Sequence, residues 1–152
     1  MSYRYDPTNV FALILRGEIP SDVQAESEHS LVIKDVRPQA PCHLLAIPKG
    51  PYATFDHFMS EASPEEVTDF HALIQQVITE LKLSHALGGG GYRLITNAGE
   101  DGFQEVGHFH VHVLAGRWLG PLLPDETDLE TALSRFGPKL KNSDLTGQNN
   151  QE

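Results

Sequence analysis

Three histidines stand at alternate positions in GHFHVHVLAG (107–116): His108, His110 and His112. Imidazoles at that spacing can hold a metal ion, attack an electrophilic centre, or simply line one side of a strand. Alternate residues of a strand share a face, roughly 6.6 Å apart for neighbours and roughly 13 Å for the outer pair. Zinc holds each imidazole nitrogen at about 2.0–2.1 Å, so His108 and His112 can hardly reach one ion together. A third ligand would have to come from another strand, and His43 in CHLLAIPK (42–49) is the candidate that points the right way. No CxxC, HExxH or carboxylate cluster completes a set. The sequence implies no metal and no other cofactor.

A nucleophile accounts for more. A neutral imidazole attacks phosphorus at neutral pH without a separate base to deprotonate it. Its attacking nitrogen needs a lone pair, so a fixed acceptor must hold the other nitrogen as a donor; a nearby backbone carbonyl or a second histidine can do so. The trio supplies a central residue, His110, with a neighbour on each side to place protons and hold phosphoryl oxygens. The isolated His29, His57, His71 and His85 are expected to be surface or helix residues.

The elements that must position this cluster are partly visible. TNVFALILRGEIP (8–20) reads as a short buried helix capped by Thr8 or Asn9 and stopped at Gly17. LVIKDV (31–36) and CHLLAIPK (42–49) read as strands around the bend RPQAP. In the second run His43, Leu45 and Ile47 share one face, and Cys42, Leu44 and Ala46 the other. Ser63, Pro64 and Glu66 spell a capping box, after which Val67, Phe70, Ile74, Val77, Ile78 and Leu81 recur at helical spacing. The glycines 88–91 end that helix in a connection to YRLITN (92–97), and a turn at Asp101–Gly102 leads to the histidine strand. There Phe109, Val111 and Val113 face the helices and the histidines face away. The order predicts an α+β meander with its helices on one face, in a domain spanning 1–124. DETDLETALSRF has the pattern of a short amphipathic helix, opening a polar extension over 125–152 that ends as a disordered tail.

Composition narrows the partners. A net charge of −10 argues against a nucleic-acid groove, which needs clustered Lys and Arg, but leaves room for a small phosphorylated ligand in a local nest of donors. No apolar run approaches the roughly 20 residues of a membrane span, MSYRYDPTN lacks the pattern of a secretory signal, and Cys42 is the lone cysteine. A cytoplasmic protein is the plain reading.

HFHVHVL resembles the histidine-triad (HIT) pattern, His-x-His-x-His followed by apolar positions. FALILRGEIPS, KDVRPQAPCHLLAIPK and GYRLITNAGEDGFQEVGHFHVHVLAGR extend the resemblance over about residues 8 to 118, to the Hint-type branch of purine nucleoside phosphoramidases. It implies a HIT fold with an antiparallel sheet of about five strands, one long and one short helix, and a homodimer that continues the sheet. It also implies a hydrolase that splits AMP-amines or related adenylates through a nucleotidyl-histidine intermediate. A dinucleoside polyphosphate hydrolase and a slow-turnover nucleotide-binding regulator are the alternatives. The resemblance makes His110 the nucleophile and puts His112 at the phosphate and leaving group. His108 and His43 fall where orientation and proton relay are set. Asp35 matches the ribose-binding carboxylate, Asn97 a phosphate-side contact, and Phe11, Ile14, Ile33 and Val36 the purine slot. Two positions depart from the pattern. Glu105 stands before Val106 where a hydroxyl residue is usual; its backbone N–H can still face phosphate, but its carboxylate would repel an anion. Phe103 replaces a frequent glycine.

Overall fold

Alternating apolar residues build a single sheet of five antiparallel strands: β1 Val23–Glu26, β2 Ser30–Lys34, β3 Cys42–Pro48, β4 Tyr92–Ile95 and β5 Val111–Ala115. The computed structural model describes residues 2–123, so the helix and tail expected over 125–152 lie outside the described residues. Contacts gather the chain up to Leu119 into one unit.

The spatial order is β1-β2-β3-β5-β4, which is a meander only through its first three strands. β5 enters between β3 and β4, and this central position buries Val113 and Ala115 completely or nearly so. The helices are α1 Val10–Leu15, α2 Phe55–Glu61 and α3 Pro64–Glu80. α3 starts where the capping box predicts: Ser63 Oγ accepts from Glu66 N, and a Glu66 carboxylate oxygen accepts from Ser63 N. Its Phe70, Leu73, Ile74, Val77 and Ile78 pack on Val32, Leu44, Ala46, Phe109 and Val113 of one sheet face. α2 has no counterpart in the sequence reading; Thr54 caps it and Phe58 is its fully buried anchor.

Three expectations need correction. α1 does not share the face of α3: Phe11 packs with Leu31, Ile33, Leu45 and Ile47 on the opposite side. The strands present apolar residues on both faces, so each face needs a cover. The glycines do not end α3 either. Lys82 takes φ 52° after the C-cap Leu81, with Leu83 N bonded to Ile78 O and Lys82 N to Thr79 O, and this closes the helix before the glycines, with a short 3-10 turn, His85–Leu87, in between. Leu81 consequently sits beyond the helix and is exposed. Finally, only His112 belongs to β5. His108 and His110 lie in the segment leading into it, where Phe109 N bonds to Tyr52 O outside the ladder.

Candidate active site

Register brings the histidines of two strands together. β3 and β5 pair Leu45 with His112 and His43 with Leu114, so His43 and His112 are diagonal neighbours on the α1 face. His43 Nε2 lies 2.9 Å from His112 Nδ1 and 3.2 Å from Asp35 Oδ2. The lead-in segment adds His110, whose ring meets His112 at 5.0 Å and Phe11 of α1 at 5.1 Å, both edge-on. This face is therefore covered: His43, His108 and His110 are buried, and His112 is part-exposed.

The hydrogen bonds determine where each imidazole proton sits, because a carbonyl can only accept and a backbone N–H can only donate. His108 O lies 2.7 Å from His110 Nδ1, so Nδ1 donates and His110 Nε2 keeps its lone pair. Pro48 O lies 2.8 Å from His108 Nε2, which therefore donates, leaving His108 Nδ1 to accept from the Tyr5 hydroxyl at 2.7 Å. Gln39 N donates to His43 Nδ1 at 3.0 Å, so the His43 proton is on Nε2, facing His112 Nδ1. His112 Nδ1 accepts, and its own proton is on Nε2. All four imidazoles are held below the ordinary histidine pKa, burial being the leading cause, and His108 and His112 are lowered to about 4. Neutral rings with fixed tautomers leave one ring nitrogen, His110 Nε2, with a lone pair that no protein donor engages in these bonds.

Among the described residues, Asp35, His43 and His112 bring one ligand atom each within 4.8 Å of one another, a spacing a divalent ion can bridge. The surroundings of His43 do not suit that use. A metal-bound imidazole donates its other N–H to an acceptor, whereas His43 Nδ1 faces the Gln39 N–H, a donor.

The remaining sequence candidates separate. Phe11, Ile14, Ile33 and Val106 share one apolar cluster beside the histidines, while Val36 is 90% exposed and outside it. Asp35 Oδ1 accepts from Arg37 N at 2.8 Å, which turns the chain after β2 and aims Oδ2 at His43. Asn97 is half-buried just after β4, and Glu105 is exposed in the loop before the histidines. That loop is pinned by Gln104, which donates to Ala53 O and Val106 O, and Phe103 adopts φ 53°, a conformation that favours glycine. His57 is a helix residue, as expected, but it is buried on α2, bonding Ala53 N and Glu61. Three contributors went unnoticed in the sequence. Tyr5 ties down His108 Nδ1, Gln39 sets the tautomer of His43, and Thr96 Oγ1 donates to His110 O at 2.9 Å. None carries a local motif, since each acts on a residue distant in the chain or across a bend.

A five-stranded antiparallel sheet bearing this cluster defines a histidine-triad protein. The HIT domain model matches residues 16–119, and the chain belongs to the HIT family. It is 46% identical over 127 residues to a 13.2 kDa HIT-like protein of Azospirillum brasilense, covering 81% of this chain and 98% of that one. It is 37% identical over 114 residues to the purine nucleoside phosphoramidase of Escherichia coli, covering 75% and 92%. The structure of a HIT family hydrolase from Clostridium thermocellum superposes with TM-score 0.64 at 36% identity, over 76% of this chain and 97% of that one. No helix among the described residues is long and apolar enough to cross a membrane.

Proposed function

We propose that this HIT-family hydrolase cleaves purine nucleoside 5′-phosphoramidates, AMP-amines or related adenylates, through a covalent intermediate on His110. The supporting observation is the 2.7 Å bond from His110 Nδ1 to His108 O, which leaves Nε2 as a nucleophile. Nε2 attacks phosphorus and the P–N bond breaks as the amine nitrogen takes up a proton from solvent. The amine departs neutral, and His110 becomes a nucleotidyl-imidazolium whose Nδ1–H still bonds to His108 O. Water then attacks phosphorus and gives up a proton to solvent, the His110–phosphorus bond breaks with its electron pair returning to Nε2, and AMP leaves with free His110 restored. His112, part-exposed with its proton on Nε2, contacts phosphate and leaving group, and His43 fixes its orientation.

Asp35 holds the ribose hydroxyls with lone pairs not used by Arg37 N and His43, and Asn97 and the Glu105 and Val106 backbone serve the phosphate. Phe11, Ile14 and Ile33 form the purine slot, with Val36 at its outer rim. Glu105 favours an amine over an anhydride leaving group. Its carboxylate acts on His110 electrostatically, raising its basicity against the effect of burial, and it would repel a second phosphate. The protein is cytoplasmic and works as a homodimer, β4 being a sheet edge that a symmetric copy can extend. Sedimentation should give a mass near twice the chain's 16.8 kDa at micromolar concentration; the monomer mass would reject assembly.

A substrate panel tests the reading. AMP-amine should turn over with higher kcat/KM than a dinucleoside polyphosphate, and its 2′,3′-dideoxy analogue should lose roughly tenfold to hundredfold, as expected for hydroxyls bonded to a carboxylate. Preference for the polyphosphate would make the protein an anhydride hydrolase. AMP binding without turnover of either would make it a nucleotide-binding regulator.

A further inference from the structure

We propose that Tyr5 is a positioning residue that holds His110 in its reactive tautomer, acting through His108. The inference rests on His110 being the nucleophile. Neither tautomer of a free neutral imidazole is strongly preferred, so a reactive one must be imposed by its surroundings. For His110 the imposing group is the carbonyl of His108, which must therefore stay in place. His108 is 0% exposed and is tied at both ring nitrogens, Nε2 donating to Pro48 O at 2.8 Å and Nδ1 accepting from Tyr5 at 2.7 Å. The edges of Tyr5 and Phe11 close on the same ring, at 5.6 and 6.2 Å between centroids. A ring tied at both ends cannot rotate without breaking a buried hydrogen bond, and this holds its own backbone carbonyl beneath His110.

The segment that delivers Tyr5 is itself built to hold position. Asp6 Oδ1 accepts from both Thr8 N and Thr8 Oγ1, Asn9 Nδ2 donates to Asp6 O, and Arg16 Nη1 donates to Pro7 O. Tyr3 stacks on His57 with centroids 4.4 Å apart and planes 5° from parallel. Apart from Arg16 and His57, the residues that make these contacts precede residue 16, where the match to the HIT domain begins. Without the Tyr5 hydroxyl, His108 Nδ1 would be a buried lone pair lacking a donor, and because Pro48 O keeps the proton on Nε2 the ring could relieve this only by shifting.

Tyr5→Phe removes that hydroxyl and keeps the ring. On AMP-amine its kcat should fall about threefold to tenfold with KM unchanged, because Tyr5 orders the nucleophile and leaves the substrate contacts alone. In nitrogen-15 spectra of the histidine rings at neutral pH, His108 Nδ1 should move toward the value of a lone-pair nitrogen without a hydrogen bond, and His110 should show a larger fraction protonated at Nε2. Tyr3→Phe, a change on the same segment away from His108, should alter neither readout. A Tyr5→Phe protein with wild-type kcat, or with unmoved His108 and His110 nitrogen shifts, would overturn the proposal. If the wild type does not turn over AMP-amine, the phosphoramidase reading fails by itself, and the nitrogen shifts still decide the role of Tyr5.

Discussion

Replacing His110 with alanine should lower turnover of AMP-amine by on the order of 10³-fold or more while AMP still binds, because the change deletes the attacking atom and leaves the ribose and base contacts. His108→Ala and His43→Ala should impair turnover by less, since the His108 side chain only steadies the carbonyl that His110 needs and His43 orients His112 from behind. Combined with His110→Ala they should add little, as members of one catalytic unit fail together. The direct measurement is a quenched reaction with phosphorus-labelled substrate. The acid-labile label should map to His110 and vanish in His110→Ala. A label on another residue, or activity lost to a chelator and restored by zinc, would replace this mechanism with a different nucleophile or a metal centre.

The second large effect falls on stability. Phe109→Ala should cost about 3–5 kcal/mol, the range for truncating a buried aromatic. Phe109 is 1% exposed and lies 5.0 Å from Phe58 and 5.1 Å from Phe70 between ring centroids, with Phe55 edge-on at 5.9 Å. These rings come from α2, α3 and the lead-in to β5, so the cavity would open where three elements meet. Denaturant unfolding should show a lower midpoint at unchanged slope. Phe103→Ala, at a site 75% exposed, should stay within about 0.5 kcal/mol of wild type. Equal losses from the two substitutions would contradict this account of the core. Because Phe109 sits between His108 and His110, its loss should also reduce kcat.

Much of the molecule was legible in residue order. The period of two in strand geometry assigns His43, Leu45 and Ile47 of β3 to one face, and the structure keeps that assignment. The capping box at Ser63 places the start of α3 because both halves of the motif lie within four residues. His-x-His-x-His identifies the family because the three side chains it needs are close in sequence. The end of α3 was not legible: a lysine in the left-handed region closes it, and only the bonds of Leu83 and Lys82 back to the last turn reveal this. The short α2 lacks the repeated apolar spacing that makes a longer helix visible, and its stability comes from burying Phe58.

What the sequence by itself determined is therefore local: the strand faces, the helix start, and three histidines at alternate positions. The tertiary structure decided what those histidines are. The tautomer of His110 is set by its near neighbour His108 O, but the other three depend on partners remote in the chain or presented by a bend: Pro48 O for His108, Gln39 N for His43, and His43 in turn for His112. A sequence states which residues carry imidazoles, but the proton on a neutral imidazole goes wherever donors and acceptors in three dimensions require. Burial on the α1 face, which alternation left open to solvent or ligand, then keeps the rings neutral.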